Sequence, residues 1–354
     1  MNITEIFTPK AIAMNWEEVY SNRLPYLGEG LFPAKKKMGL DLSWIKGYKG
    51  LPVSLMPSNF DAKPTFRDRI GVTKIDTEMA FFREAMFLKE KDEQEIMRIQ
   101  DTNDPYAAAV LSNIFDDTNT LIEGALVVPE RMRMQLLSSQ GSPSITRTAN
   151  NVTYSYNYDP KGEFQTNNYT ALTGTSKWSD TSNSDPLSDI KSAQDKVEEK
   201  TGTRPSIAIM SRKTFNYLLS NTKIKSAILA QNVTANIFMT DALLKAFIKE
   251  LLGVSIIIYT KKYKDESGAT KNFYPDDMCA LIPDGILGST WFGTTPEERS
   301  GGASGIQVAI VNTGIAVAVS RTNTAPLNTQ TTASEIVLPS FERMDECYIL
   351  KVSA

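Results

Sequence analysis

The chain contains no histidine. That single absence excludes imidazole metal sites and every Ser-His-Asp or Cys-His nucleophile system. Cysteine is almost absent too: Cys279 and Cys347 lie far apart and in no CxxC arrangement. Two soft ligands cannot complete a structural zinc site, so both are expected to be buried, small apolar residues of a reducing compartment. There is no basic surplus, the formal net charge being −3, so tight binding to nucleic-acid phosphates is not indicated. A mildly acidic chain could still line a container around DNA. No long apolar run exists: the stretch from Val254 to Tyr259 is far shorter than the roughly 20 residues that cross a bilayer. The first twenty residues carry acids and no apolar run, unlike a signal or transit peptide. The expected compartment is the cytoplasm, with no membrane partner.

Phosphate-binding glycine patterns are missing as well. Gly285, Gly288 and Gly293 form neither GxGxxG nor GxxxxGK[ST]. Paired acids occur at Asp116-Asp117, Asp276-Asp277 and Glu297-Glu298. Adjacent side chains on a helix do not face each other, so the first pair reads as a solvated edge. The second reads as a turn before a strand at Met278, and the third opens a helix after Thr295-Pro296. No catalytic, cofactor-binding or metal-ligating residue is assigned.

What is present is length and pattern. With 354 residues, the chain exceeds the roughly 250–300 at which a single core stops growing. Residues 1–45 scatter Trp16, Tyr20, Tyr26, Phe32 and Trp44 among prolines and glycines without a period, and these aromatics are expected to seek a neighbouring subunit. The alternative is an arm wrapped on its own domain. Lys35, Lys36 and Lys37 form the one basic cluster of this arm, expected in a solvated loop, with an anion contact on DNA or a scaffolding protein as the functional reading. Residues 46–88 read as two extended strands, 51–56 and 70–82, around a polar bend with Pro57 and Pro64. Phe60, Arg67, Arg69 and Lys74 lie on this hairpin, which suits a reaching arm because exposed strand edges invite pairing.

The run of charges at 89–95 predicts a solvated helical face. From Asp104-Pro105 onward, apolar residues recur three and four apart through Val110, Ile114, Leu121 and Ala125, predicting a helix that Pro129 should kink or restart. About thirty-five residues at 1.5 Å give a rod of roughly 50 Å. Residues 151–158 alternate as a half-buried strand, and 162–184 read as loop. Asp185-Pro186 opens a helix that Gly202 closes. Strands at 206–210, 254–259 and 278–282 then alternate with helices through Phe215 and through Leu243, Phe247 and Leu251, as a compact α/β lobe with a hairpin at Gly268. One long strand is predicted over 306–320, and two short ones, 335–339 and 347–352, finish the chain. Trp178 and Trp291 read as structural anchors. The whole is an α+β protein.

Three segments of the carboxy-terminal half, taken in order and spacing, resemble the family of the lambda major capsid protein of tailed bacteriophages. They are SKWSDTSNSDPLSDI (176–190), YKDESGATKNFYPDD (263–277) and ILGSTWFG (286–293). The resemblance implies an arm (1–45), an extended loop (46–88), a peripheral domain on a long spine helix (89–175 and 300–325) and an axial domain (176–299 and 326–354). It further implies self-assembly as hexamers and pentamers into an icosahedral head around double-stranded DNA, built in the host bacterial cytoplasm. A portal, a decoration protein and, because the arm is short, a separate scaffolding protein would be its partners. Trp16, Tyr20, Lys35–Lys37, Phe60, Arg67, Arg69 and Lys74 are the expected assembly residues. Two rivals are an encapsulin-like compartment shell and a histidine-free α/β hydrolase or transferase.

Overall fold

The structure, a computed structural model, describes residues 8–21, 23–46, 73–88, 90, 94, 105–149, 152–231, 239–300, 307–321 and 328–353. The chain divides into two compact units. The first takes Met1–Leu42, Asp76–Met132 and Ser289–Ser340, and the second takes Ser43–Ile75, Arg133–Gly288 and Phe341–Ala354.

The first unit is organised by the strand Thr329–Pro339. Its residues 329–334 pair antiparallel with Ile315–Arg321 while 329–337 pair antiparallel with Ala80–Leu88, so these two strands flank it on opposite sides. Its end, 337–339, pairs with Thr290–Phe292, which in turn runs parallel to Ala34–Lys36. Gln307–Val311 completes six strands as a hairpin with Ile315–Arg321. The one long strand expected over 306–320 is therefore two. Asn312 at φ 50 turns the chain, and asparagine tolerates that left-handed backbone better than most residues.

The helix Pro105–Leu137 runs 33 residues and includes Pro129. Of the kink or restart expected at Pro129, the restart does not occur: helical structure continues through it to Leu137. The segment 8–42, read as aperiodic, also holds regular structure. Thr8 and Pro9 open the helix Pro9–Ser21, with the Ala11 N–H donating to Thr8 Oγ1 at 3.2 Å, and threonine before proline is a strong start signal. Ile12 and Trp16, four apart and hence on one face, are both fully buried.

The second unit holds a five-stranded sheet in the order Tyr169–Ala171, Tyr348–Lys351, Met278–Ile282, Ile207–Met210, Ser255–Ile258. The two outermost pairings are parallel and the two central ones antiparallel. Met278–Ile282 is buried at every position, as an unbroken apolar run at a sheet centre should be. Each principal helix starts and stops on local chemistry. Asp185 accepts from the Ser188 N–H and Gly202 at φ 72 ends Pro186–Thr201. Ser211 accepts from the Thr214 N–H ahead of Arg212–Ser220. Thr240 caps Asp241–Leu252, which Gly253 at φ 69 closes. Leu244, Phe247 and Ile248 are its buried face; Leu251, named with Leu243 and Phe247 in the helical pattern, is exposed. Trp178, Ile190, Phe215, Ile248, Leu281 and Leu350 centre the core. The stretch 162–184 is not all loop: it contains the helix Glu163–Asn167 and the strand Tyr169–Ala171. The strand Ser144–Ala149 pairs with Val152–Asn157 as a ribbon whose second strand is more exposed than expected.

Candidate assembly surface

The sequence-predicted assembly residues fall in three places. Trp16 lies on the helix Pro9–Ser21 and is fully buried within its own chain. Tyr26 and Phe32 are buried too, so for these three aromatics of 1–45 the alternative of an arm wrapped on its own domain replaces the expected look to a neighbour, while the Trp44 side chain lies outside the described residues. The cause is visible in the polar contacts. The Asn119 amide donates to Asn15 Oδ1 at 2.8 Å, and the Gly28 N–H donates to the buried Glu130 carboxylate at 3.1 Å. The Thr290 hydroxyl donates to the Phe32 carbonyl at 2.8 Å and its N–H to the Pro33 carbonyl at 2.9 Å. The arm is thus stitched to its own first unit. Burial raises the Tyr26 phenol above its ordinary value, with Arg23 opposing. Tyr20 sits on the same helix, its side chain outside the described residues.

Lys35, Lys36 and Lys37 are brought to one place, at the strand Ala34–Lys36 and its exit. They were expected in a loop; the parallel pairing with Thr290–Phe292 makes the first two strand residues instead. Both are exposed. Lys35 Nζ stands 5.3 Å from the centre of the Trp291 ring, a cation–π arrangement. Lys36 Nζ pairs with Glu298 at 2.7 Å. The neighbouring Glu297 takes Arg83 at 2.5 Å and the Ser334 hydroxyl at 2.7 Å. The short helix Pro296–Ser300, opened by Thr295, therefore ties three strands, Ala34–Lys36, Ala80–Leu88 and Thr329–Pro339, through its two acids. Exposed pairs of this kind are each worth only about 0–1 kcal/mol. Arg83 and the two glutamates were not singled out as assembly residues; the meeting of a strand arginine with the acids of a helix far along the chain becomes visible only in the fold.

Lys74 lies on the strand Thr73–Glu78, which pairs with Asp41–Lys46; its side chain is outside the described residues, as are Phe60, Arg67 and Arg69 altogether. Ala80–Leu88, within the stretch read as an extended loop, is a strand of the first unit's sheet.

The second unit brings a lysine, a tyrosine and a carboxylate together in the manner of a catalytic cluster. Lys213 Nζ and the Tyr217 hydroxyl both contact Asp277, each at 2.9 Å, and Asp277 has φ 64. A nucleophilic lysine needs a lowered pKa. Here the Asp277 hydrogen bond raises that of Lys213, and burial followed by Asp277 raises that of Tyr217. Both groups hold their protons, so the trio is a structural clasp on a strained turn. The two thiols are inert for a related reason: burial pushes Cys279 up to about 12 and Cys347 further still. Among the described residues no cluster of three or more His, Cys, Asp or Glu could hold a metal, and no helix is long and apolar enough to cross a membrane.

The family model of phage major capsid protein E matches residues 15–352. The chain belongs to that family. It is a structural capsid protein and not an enzyme, and a phage capsid is favoured over a compartment shell. No curated protein matches the sequence. Among solved structures, a protein assigned to a prophage capsid in Escherichia coli CFT073 is 14% identical, with 100% of this chain and 99% of that one covered at a TM-score of 0.59. A phage-related protein from Bordetella bronchiseptica RB50 is 13% identical, covering 98% and 97%, at 0.58. At such identities the likeness is one of fold, and the fold is that of the phage capsid protein.

Proposed function

We propose that this capsid protein assembles as hexamers and pentamers into the icosahedral head of a tailed phage and encloses double-stranded DNA. The family match over residues 15–352 carries the reading. The net charge of −3 supports a wall that surrounds DNA without gripping it. A separate scaffolding protein, a portal and a decoration protein are the proposed partners, and the host bacterial cytoplasm is the proposed site of assembly. Residues 1–45 act as arm and the stretch before the strand Ala80–Leu88 as extended loop, with the rest of the first unit as peripheral domain and the second unit's 133–288 and 341–354 as axial domain. Lys35–Lys37, Phe60, Arg67, Arg69, Lys74 and Tyr20 make contacts in the shell, while Trp16 anchors the arm that presents them.

The test is negative-stain microscopy with light scattering on the purified chain, alone and with the proteins encoded beside it. Closed shells, tubes or ring-shaped capsomers are expected. A monomer under every condition would overturn the reading. Residues 46–88 should also be cut by protease in free subunits and protected in particles; equal rates in both states would remove the reaching role of that loop.

A further inference from the structure

The turn that follows Ala34–Lys36 is fixed in place yet presents apolar side chains to water. Met38 is 89% exposed and Leu40 47%. The turn is held by the Lys37 N–H on the Phe292 carbonyl at 2.8 Å and by the Met79 N–H on the Leu40 carbonyl at 2.9 Å. Gly39 turns it at φ 87, with its carbonyl oxygen so close to Gly293 that a Cβ there would lie 2.9 Å away. An apolar tip that is fixed and uncovered is poised for a partner, since hiding it releases free energy with little ordering left to do. Its flank is basic. Lys36 is paired with Glu298 and Lys35 stands over the Trp291 ring; among the described residues neither Lys35 nor Lys37 has a carboxylate partner, so both can offer charge to a neighbour.

The long helix of the same unit offers the complement. Asp116, Asp117, Thr120, Glu123 and Gly124 are all exposed, and their spacing of three, four, seven and eight places them along one face. Gly124 is the telling member. A glycine inside a helix costs about 1 kcal/mol relative to alanine, and a Cβ added there would meet nothing within 4 Å. Among the described residues nothing requires the glycine; a close approach from outside would. The face is a small dent with an acidic rim, and the turn is an apolar knob with a basic flank.

We propose that the turn 35–40 of one subunit docks on the face 116–124 of the long helix in a second copy, Met38 over Gly124 and Lys35 and Lys37 against the carboxylates. The proposal rests on the shell reading above. Knob and dent are different patches of one chain, so the contact is heterologous and repeats from copy to copy, closing a ring or extending an array.

The test mixes two full-length variants, Met38→Cys and Thr120→Cys, during assembly. Cys279 and Cys347 are buried, so the introduced thiols are the accessible ones. A reducible dimer formed in particles, and absent from unassembled mixtures, is expected. In parallel, D116K/D117K/E123K should lower the assembled fraction roughly tenfold or more, and mixing it with K35E/K37E should restore it. Gly124→Ala should raise the thermal midpoint of the free subunit while lowering shell yield. Normal shells from the charge-reversed helix with no 38–120 link would overturn the docking and leave the shell reading standing. Loss of shells without rescue and without the link would assign the helix face to another partner, such as a scaffolding protein, and would equally overturn it. Wild-type chains that form no particle would remove the shell reading, and this proposal with it.

Discussion

The two units of this chain use opposite ways of encoding structure. In the second, each principal helix is bounded by residues beside it: Asp185 and Gly202, Ser211, Thr240 and Gly253. In the first, six strands come from four separated stretches, so that Lys36 meets Phe292 and Glu84 meets Ala333. Local encoding fixes elements before the fold exists. Long-range encoding fixes them only through partners, at a loop-closure cost that must be met first. The contrast suits a subunit whose one part should form early and whose other part supplies the surfaces argued above to meet neighbours.

If the second unit is a self-sufficient core, its centre should be the most sensitive place in the molecule. Trp178 is fully buried and its indole N–H donates to Asp189 at 2.9 Å. Trp178→Ala should destabilise by about 3–5 kcal/mol, measured by denaturant unfolding. Hydrogen exchange read separately over 186–231 and 307–339 should show the loss confined to the former. Equal loss in both would break the contrast, since the two would then unfold as one.

The reciprocal change is Gly314→Ala. A Cβ there would lie 2.3 Å from the Phe292 ring, closer than any real contact, and Phe292 cannot retreat without disturbing its pairing with Lys36 and Val337. The overpacking should cost about 1–3 kcal/mol, with exchange rising in 307–339 and the second unit unaffected. A smaller effect sharpens the idea of local encoding. Thr240→Ala removes the acceptor for the Leu243 N–H and should cost about 1 kcal/mol, read as a lower unfolding midpoint and as fraying of 241–244.

The same contrast explains what was legible in the sequence. Caps, stop glycines and apolar runs announced the helices at 186–201 and 241–252 and the strand at 278–282, because the signal lies within a few residues of the element. Thr329–Pro339 was half seen. Its apolar end, Glu335–Pro339, was recognised, but Thr329, Thr331, Thr332 and Ser334 carry no apolar period and are buried only because strands lie on both sides. The turn at Asn312–Gly314 was hidden inside an apolar run, although asparagine and glycine were there to mark it. In the arm, Thr8-Pro9 was an overlooked start signal, while the burial of Trp16 could not be known without the helix that receives it. Of the assembly surface, the lysine cluster was visible and the rigidity of its turn was not. That rigidity depends on Phe292, Gly293 and Met79, all remote in sequence.

The most local effect concerns two acids of the second unit that respond to pH in opposite senses. Asp265 starts the hairpin turn at Gly268. It pairs with Lys271 at 2.6 Å and accepts the Ser267 hydroxyl and the Ser267 and Ala269 N–H groups. The Lys271 contact first, then the Ser267 hydroxyl, hold its carboxyl well below the ordinary range. A depressed folded value means that the stabilisation is fully present above the unfolded value of about 3.9 and is lost as pH falls toward the folded one. Asp189 is the reverse case: burial raises it, opposed by the Trp178 donor, so its contribution declines as pH rises from the ordinary value through its folded one. Amide protection in 262–272, taken relative to the intrinsic exchange rate at each pH, should therefore fall on acidification below about pH 4. Asp265→Asn should make that turn open at neutral pH with no further acid response of its own. Asp189→Asn should leave the hairpin untouched and flatten only the fall in stability on the alkaline side of its titration. A hairpin whose protection does not change between neutral and strongly acidic pH would show that the turn is held by its backbone bonds, Asp265 N–H to Ala269 O and Gly268 N–H to Asp265 O, rather than by the carboxylate.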